Sequence, residues 1–532
     1  MVKNRSMLWW TALLIGWSFD LLYWGKAPGI SFALQISLTA ALVWITARRE
    51  NAAVDPKSIP LGILAVLFGI LTFLRAEPFT RVLNHLAALG FLGLFILVYE
   101  SGSWLRFRPL DYVVGGFRLL INAIALPLDL LSSKGKSESG ETESEQDKKE
   151  QSSWRTGLAY LRGILIALPI LAVLGALLSE ADPIFSEWLR EIIEALRLEK
   201  LPEYILRAFL ISLWTLLGAG LLLFAVKKSG GSRDAGQDRK WPPRFLGFTE
   251  TAIVLGSVDL MFAAFVTIQF RYFFGGEQNI TAAGFTYAEY ARRGFGELLA
   301  VAFITLGLMI ILSAISRQEN RKQRSLYSGL SILMTLLIGV ILLSSHQRLA
   351  LYESAYGFTQ LRTYSHICIL WIGALFAAVL ILELSGQQRF FTLAGILAVV
   401  GFTLTLNGLN VDRWIVEQNL ARAASGEQEL DTNYFTRLSD DAVPALIAGV
   451  QEGNLKPDEL EELSAALACR ARRLKDTAPD AWQSFLLPTW RAEQLLQENK
   501  QLWKDVILVY DYGSFTAKLS DGDFYCRYYT WD

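Results

Sequence analysis

The sequence has few of the residues from which metal and redox sites are built. It contains three cysteines and three histidines, His85, His346 and His366. The histidines form neither an HExxH nor an HxH pattern, and no CxxC pair occurs. A GxSxG elbow, a Walker A loop and a GxGxxG turn after a strand are also absent. We therefore expect no metal, no cofactor and no ATP-driven pump in this chain, and its catalytic residues, if it has any, are unknown.

Charge is scarce as well. Charged residues make up 19% of the chain and the formal net charge is −1, so no basic field suggests a nucleic-acid partner. Hydrophobic residues reach 52%, with a mean hydropathy of +0.33. A membrane-spanning helix needs about 20 mostly apolar residues, and many segments come close. The predicted class is an all-α polytopic membrane protein with the lipid bilayer as its environment.

About eleven segments are apolar and long enough to cross a bilayer. Lys3 and Arg5 precede the first segment, which resembles a signal sequence but has no small-residue cleavage site. We therefore expect it to remain as an uncleaved span. The predicted spans are 7–24, 28–46, 58–74, 82–99, 156–179, 204–226, 248–270, 295–315, 326–344, 364–384 and 390–407.

Lysine and arginine gather in cytoplasmic loops, and this rule predicts the orientation. With a cytoplasmic N-terminus, the inner loops hold 23 of these residues and the outer loops 11. The C-terminus is then extracytoplasmic. Val113–Leu131 is also apolar, but it contains Arg118 and Asp129, and a crossing here would place two basic loops outside. We therefore predict an interfacial or re-entrant helix.

The domain organisation follows from these spans. Residues 132–155 are rich in Ser, Glu and Lys and cannot bury a core, which predicts a disordered cytoplasmic linker. The predicted parts are a four-span N-terminal segment (1–112), the interfacial or re-entrant helix (113–131), the linker (132–155), a seven-span core (156–407) and an extracytoplasmic C-terminal domain (408–532).

The C-terminal domain is predicted to be a small α+β unit. Helices are expected over 431–450, 457–474 and 481–499, where Pro488 marks a kink or the true start of the third helix. Three alternating segments with Gly or Asp-Gly turns then suggest a hairpin or three-stranded patch. Cys469 and Cys526 both lie in this domain, so a disulfide can form in an oxidising exterior.

Two polar junctions next to spans are the candidate binding site. Charges close to the hydrocarbon core are costly, so they pair, face a cavity or serve a function. Residues four apart share a helix face, as Glu289, Arg293 and Glu297 do. The first junction comprises Arg271, Tyr287, Glu289, Tyr290, Arg292, Arg293 and Glu297, and the second Arg348, Tyr352, Glu353, Tyr356 and Arg362.

We expect the two junctions to meet at the outer ends of the spans. The predicted pairs join Glu289 or Glu297 to Arg348, or Glu353 to Arg292 or Arg293. The alternative is an aromatic belt with ion pairs at the membrane surface. Asp259, in the middle of a span, is a candidate proton or ion relay. Its alternative is a hydrogen-bonded contact between helices.

Several long motifs stand out along the second half of the chain. They are Ala181–Phe185, Gln269–Gly276, Phe285–Phe295, Arg348–Arg362 and, in the tail, Asp412, Asn419, Asp431, Tyr434 and Leu438–Pro444. These motifs resemble a family of bacterial polytopic membrane proteins catalogued as domain of unknown function 4173. The resemblance covers most of residues 160–445 and implies no activity, cofactor or catalytic residue.

Three functions remain open. The first is a non-enzymatic protein that binds a small molecule, a lipid or a protein partner at its outer face, with the C-terminal domain as a surface for a protein partner. It would act as a sensor, scaffold or transport component. The second is an intramembrane enzyme acting on a lipid-linked or cell-envelope substrate, with arginine binding phosphate. The third is a proton-coupled transporter that uses Asp259. A lipid-facing groove, a polar path through Asp259, or packed ion pairs without a cavity would distinguish them.

Overall fold

The structure of the protein is a computed structural model. It describes residues 4–132, 174, 178–179, 182, 185–187, 200–227, 245–273, 295–317, 320–426, 429–477, 481–511, 514–520 and 522–526. The linker predicted after residue 132 and the span predicted at 156–179 lie almost entirely outside these residues.

Long helices account for the membrane part. In chain order they are α1 (Arg5–Tyr23), α2 (Ile30–Arg49), α3 (Ile59–Leu74), α4 (Pro78–Leu97), α5 (Pro109–Ser132), α6 (Leu201–Lys227), α7 (Phe248–Phe273), α8 (Phe295–Ile315), α9 (Arg321–Tyr356), α10 (Gln360–Leu384) and α11 (Phe391–Leu409).

The predicted membrane class is confirmed. Within the described part of the chain, nine helices are long and apolar enough to cross a membrane, and Ile59–Leu74 is a shorter apolar helix. α5 is one continuous helix and is among the nine. That it lies at the interface rather than crossing stays a prediction.

α9 determines where the candidate site lies. A capping box of Asn320 and Gln323 starts it, and Gly357 ends it with a φ of 74°, which favours glycine. Its 36 residues span about 54 Å at 1.5 Å per residue. A hydrocarbon core is about 30 Å thick, so α9 extends well beyond it and carries the second junction at its C-terminal end.

The chain forms two compact units. The first comprises Met1–Trp24 and Leu120–Phe224. In it, Arg207 of α6 donates to both carboxylate oxygens of Asp20 on α1, at 3.0 and 2.6 Å. A Cβ on Gly16 would lie 2.2 Å from Thr215 Oγ1, so glycine lets the two helices approach closely. The second unit comprises Gly25–Leu119 and Ala225–Asp532.

The second unit has two distinct ends. At one end, Leu246 before α7 forms a bridge with Ser316 after α8. The start of α9 is joined to the end of α10 at the same end, where Ser328 Oγ donates to Glu383. We call this the basic end. At the other end, Ser345 Oγ of α9 donates to the carbonyl of Phe295 at the start of α8, at 3.0 Å. We call this the tail end, because the C-terminal domain packs there.

The C-terminal domain confirms the predicted α+β class. An antiparallel sheet in the order β1-β2-β3 follows the helices, and α16 begins at Leu487, so Pro488 marks its first turn. The elements are α12 (Val411–Ala424), α13 (Thr432–Phe435), α14 (Val443–Glu452), α15 (Pro457–Thr477), α16 (Leu487–Glu498), β1 (Ile507–Asp511), β2 (Ser514–Leu519) and β3 (Gly522–Tyr525).

A disulfide joins Cys469 of α15 to Cys526 just after β3. Cys469, Ala517 and Phe524 belong to one buried cluster between α15 and the sheet. The bond therefore fixes the sheet to the helical part of the domain, as the sequence allowed.

Buried polar groups dock this domain on the membrane helices. Asp441 Oδ2 accepts hydrogen bonds from the backbone N–H groups of Ala76 and Glu77, at 2.7 and 3.2 Å. Arg75 Nε donates to the carbonyl of Asn407 at 2.8 Å, and Arg75 lies 3.7 Å from Asp441. The α3–α4 turn, the end of α11 and the C-terminal domain thus share one network. Burial is the main cause that raises the pKa of Asp441.

A second docking contact is centred on Asp412, which is fully buried. Its Oδ2 accepts from the backbone N–H of Ser439, and its Oδ1 accepts from Gln360 Nε2, both at 2.7 Å. Gln360 begins α10 and also donates its backbone N–H to the hydroxyl of Tyr434 at 2.8 Å. Asp412 therefore joins the start of α10 to the tail.

Arg470 holds the loop beneath these contacts. It is 3% exposed and donates to the carbonyls of Ser439, Phe435 and Leu438 at 2.6, 3.0 and 2.7 Å. Burial lowers its pKa to about 10. Carbonyl acceptors and the nearby Asp440 carboxylate, at 3.4 Å, compensate for the loss of water.

Asp412 makes the stability of the protein depend on pH. Burial raises the pKa of Asp412 to about 6, and the charge of Glu77 makes a smaller contribution in the same direction. The hydrogen bonds from Ser439 and Gln360 lower the pKa and offset part of this increase. The unfolded value is about 3.9. The contribution of Asp412 to the free energy of unfolding is therefore complete below its pKa in the unfolded chain, and it is lost as pH rises through its pKa in the folded protein.

We expect Asp412→Asn to become relatively more stable as pH rises, because the amide does not ionise and keeps one acceptor oxygen. The melting temperature of the variant minus that of the wild type should increase between about pH 5 and about pH 8. Thermal unfolding in detergent measures it, with exposed Asp458→Asn as the control. A difference that does not change with pH would contradict the prediction.

Candidate functional site

The turn at Gly357 brings the ends of α9 and α10 together around a buried carboxylate. Glu353 is 6% exposed, and its Oε2 lies 2.7 Å from Nε2 of His366. Glu353 Oε1 has no hydrogen-bond partner in the part of the chain that the structure describes. The two oxygens of this carboxylate therefore differ, because histidine holds one while the other is buried.

His346 extends this pair to the surface. Nδ1 of His346 lies 3.1 Å from Nδ1 of His366, and the two rings meet edge to face. A contact between two ring nitrogens needs one donor and one acceptor. His346 is exposed, His366 half-buried and Glu353 buried, so the three groups form a hydrogen-bonded chain from the surface inward.

The hydrogen-bonded side chains of His346, His366 and Glu353 do not form a metal site. Both nitrogens of the His366 ring face protein groups, Glu353 on one side and His346 on the other. The three side chains therefore point at each other rather than at a common point. No group of three or more His, Cys, Asp or Glu that could hold a metal ion occurs among the described residues.

Two tyrosines and an arginine stack beside these three groups, with Tyr356 exposed and Tyr352 and Arg362 half-buried. The Arg362 guanidinium lies 4.0 Å from the centre of the Tyr352 ring and 5.8 Å from that of Tyr356. Its Nη1 donates to the carbonyls of Tyr356, at 2.9 Å, and Gly357. Tyr356 is 49% exposed. We call Tyr352, Tyr356 and Arg362 the tyrosine–arginine shelf.

The C-terminal domain completes the site. Arg422 of α12 donates to the carbonyls of Glu353 and Ser354 at 2.8 and 2.6 Å. Asn419 exchanges two hydrogen bonds with the backbone of Phe358, at 2.8 and 2.9 Å. The last carbonyls of a helix have no partner within the helix, so α12 satisfies the end of α9.

The flanks of the two predicted junctions come together. Arg348 Nη2 donates to Gln269 Oε1 at 3.0 Å, which joins α9 to the end of α7. The ring of Phe295, at the start of α8, lies 6.2 Å from that of Tyr352. Glu297 is exposed in the first turn of α8.

The rest of the first junction is outside the described residues. Arg271 belongs to the last turn of α7, but its side chain is not described. The pairs predicted with Glu289, Arg292 and Arg293 therefore stay predictions. Within the described part, Glu353 pairs with His366. The other predicted residues outside the description are Tyr287 and Tyr290.

Asp259 lies in an apolar interface. It is 3% exposed, and the same face of α7 carries Leu255, Phe262 and Val266 of the core shared with α9. Neither carboxylate oxygen has a hydrogen-bond partner among the described residues. The role of Asp259 as a proton or ion relay stays a prediction.

Sequence reasoning missed His366, His346, Gln269 and Arg422 as members of the site. His346 and Glu353 lie two turns apart on one helix, which by itself suggests no contact. The connection is His366 on the next helix. The available signal was the short turn between α9 and α10, which places residues on either side of it close together.

One protein family matches most of the chain. Residues 62–449 match the family described as Domain of unknown function (DUF4153). The chain belongs to this family. The resemblance had named a different number, 4173, which the match does not support. The matched range runs from α3 into α14, so it includes the membrane helices after α2 and the docked start of the C-terminal domain. No curated protein and no solved structure matches the chain.

We expect Glu353→Ala to lower the free energy of unfolding by about 2 kcal/mol, because His366 loses a partly buried, charge-assisted hydrogen bond. Glu353→Gln should cost less, since its amide oxygen can still accept from His366 Nε2. Denaturant unfolding in mixed micelles measures both. The control is Glu297→Ala, an exposed glutamate whose loss should change stability by less than about 0.5 kcal/mol. Equal effects of the two alanine substitutions would rule out the buried pair as a stabilising contact.

Proposed function

We propose that this chain is a non-enzymatic, multi-pass protein of a bacterial cell membrane that binds a ligand or protein partner at its outer face, as a sensor or scaffold. The observation that carries the proposal is the tyrosine–arginine shelf, which exposes Tyr356 beside the pair formed by buried Glu353 and half-buried His366. Arg422 joins the same site to the C-terminal domain. An event at the shelf would therefore act on α9, α10 and the tail together.

The chemistry of the shelf supports binding. Tyrosine and arginine are enriched among the residues that contribute most to protein interfaces. A guanidinium already stacked on tyrosine rings loses less conformational freedom when it binds. An anionic or aromatic group on the partner fits both components.

The proposed orientation places the basic end in the cytoplasm and the tail end outside, with the N-terminus cytoplasmic. Lysines and arginines are more frequent at the basic end, which includes Arg48, Arg49, Lys57, Arg106 and Arg108. That bias is typical of cytoplasmic loops. The disulfide of the tail supports the same orientation, because disulfides persist in oxidising compartments.

The second function, an intramembrane enzyme acting on a lipid-linked or cell-envelope substrate, rests on one observation. A histidine oriented by a carboxylate is half of the usual arrangement for activating a nucleophile. In this site, however, the other nitrogen of His366 faces His346 rather than a hydroxyl or thiol. The geometry therefore favours binding over catalysis. Proton-coupled transport is favoured less, because Asp259 lies in an apolar interface.

The orientation can be tested with single cysteines on intact cells. Arg324→Cys lies at the basic end and Glu452→Cys on the tail, and both positions are exposed. We expect a membrane-impermeant maleimide to label the tail cysteine in intact cells and the other only after lysis. The unsubstituted chain, whose free cysteine is Cys368, is the control. The opposite labelling pattern would overturn the orientation.

Binding at the shelf can be tested with a photo-crosslinking amino acid at Tyr356 in the native host. We expect a discrete adduct that disappears when Arg362→Ala removes the stacked guanidinium. Tyr510, which is 65% exposed on the sheet, is the matched control and should give no such adduct. The same adduct at both positions, or one that persists in the Arg362 variant, would contradict binding at the shelf.

A further inference from the structure

A large cleft lies between helices of the second unit, on the side of the basic end. Its volume is about 1740 Å³, larger than the roughly 300–1,000 Å³ of pockets that hold small molecules. α10 contributes Ile372, Leu375 and Val379, α8 contributes Met309, and α4 and α11 contribute Phe91 and Phe402. The walls are therefore mostly hydrocarbon.

The cleft opens toward the lipid. Three of its lining side chains, Phe303, Ile310 and Val399, are 51%, 37% and 62% exposed. They belong to α8 and α11, two helices of the membrane part. A molecule in the bilayer can therefore enter between these helices without crossing water.

The mouth of the cleft is basic. Lys57, Arg106, Arg108 and Arg389 line it, all are exposed, and none forms an ion pair with any described residue. The carboxylates in the lining belong to Asp111 and Glu383. Gln388 Nε2 donates to both oxygens of Glu383, at 2.7 and 2.8 Å. The positive charge at the mouth thus exceeds the negative charge, and its cations are available.

The backbone around the mouth is cross-linked by hydrogen bonds. Trp104 Nε1 donates to the carbonyl of Lys57 at 2.8 Å, and the Tyr112 hydroxyl donates to the carbonyl of Trp104 at 2.6 Å. The short helix Ser103–Arg106 contacts the short helix Gln388–Phe390. The cations therefore come from distant segments that are held together before any ligand binds.

We propose that this cleft binds an anionic phospholipid, with its phosphate group at the basic mouth and an acyl chain along the apolar walls. From Cys368 to Glu383, the lining of α10 extends about 22 Å at 1.5 Å per residue. One leaflet contributes about 15 Å of hydrocarbon, so an acyl chain fits this length. Unpaired cations at the membrane surface attract anionic headgroups. The site lies at the opposite end from the tyrosine–arginine shelf and does not depend on the function proposed for it.

The headgroup arm of the test replaces two of the cations. Wild-type protein in phosphatidylcholine nanodiscs doped with phosphatidylglycerol should retain phosphatidylglycerol in native mass spectrometry. The double variant Arg106→Ala/Arg389→Ala should bind about thirty-fold more weakly, or about 2 kcal/mol at 1.4 kcal/mol per tenfold. The matched control, Arg321→Ala/Arg324→Ala, removes two exposed cations at the same end that do not line the cleft, and it should bind as the wild type does.

The acyl arm narrows the cleft. Gly395 lines it, and a Cβ at Gly395 would meet nothing within 4 Å, so the side chain of Gly395→Leu can occupy part of the open space and should weaken retention. Gly307 of α8 is equally open but does not line the cleft, and Gly307→Leu should leave binding unchanged. Comparable melting temperatures show that each variant folds.

Cys368 reports on occupancy without a substitution. It lines the cleft and is the free cysteine, since the other two are bonded to each other. Its reaction with a maleimide should be slower in phosphatidylglycerol than in phosphatidylcholine, and inorganic phosphate alone should not slow it.

Four results would overturn the proposal. Equal loss of phosphatidylglycerol in the two double arginine variants would indicate that the whole basic surface attracts the lipid. Retention in Gly395→Leu as strong as in the wild type would place the lipid elsewhere. Equal retention of phosphatidylcholine would exclude a role for headgroup charge. Protection of Cys368 by inorganic phosphate would show that the acyl chain is dispensable.

Discussion

The carboxylate of Asp441 is the contact on which the arrangement of the tail end depends. It accepts from two backbone N–H groups of the α3–α4 turn and is 4% exposed. Arg75 of that turn also binds the last turn of α11 through Asn407. A buried charge that loses its partners is costly, so these segments are constrained to stay together. The residues of this network, Arg75, Asn407 and Asp441, all lie within the range 62–449 that matches the family.

The same constraint positions the candidate site. Docking places α12 against the end of α9, where Arg422 and Asn419 satisfy backbone groups that a protruding helix would otherwise leave to water. Glu353 is thereby buried beside His366, while Tyr356 stays exposed. A binding surface and a buried, hydrogen-bonded chain then share one helix end.

The local sequence pattern predicted the helices and strands, but it did not predict contacts between residues that are distant in sequence. Apolar run length predicted the helices, and alternation with turn residues predicted the three strands, because both signals are local. The tyrosine–arginine shelf follows partly from spacing along α9. The chain from His346 to Glu353 requires a residue on another helix, and the lining of the cleft comes from seven helices and the segments between them. Arg207 and Asp20, far apart in sequence, likewise pair only once α1 and α6 pack. The spacing of apolar residues within one segment carries no information about such contacts.

α10 links the two sites of the second unit. Its first turns, at the tail end, carry His366, and its later turns form the wall of the cleft down to Glu383. Packed helices shift as rigid elements between discrete arrangements rather than bending continuously. A lipid that fills the cleft would favour the position of α10 in which its walls fit an acyl chain, and that position also sets where His366 meets Glu353. Coupling between the sites requires that the ligand bind two positions of α10 with different affinities. A change in the position of α10 would alter the contacts of His366 with Glu353 and His346.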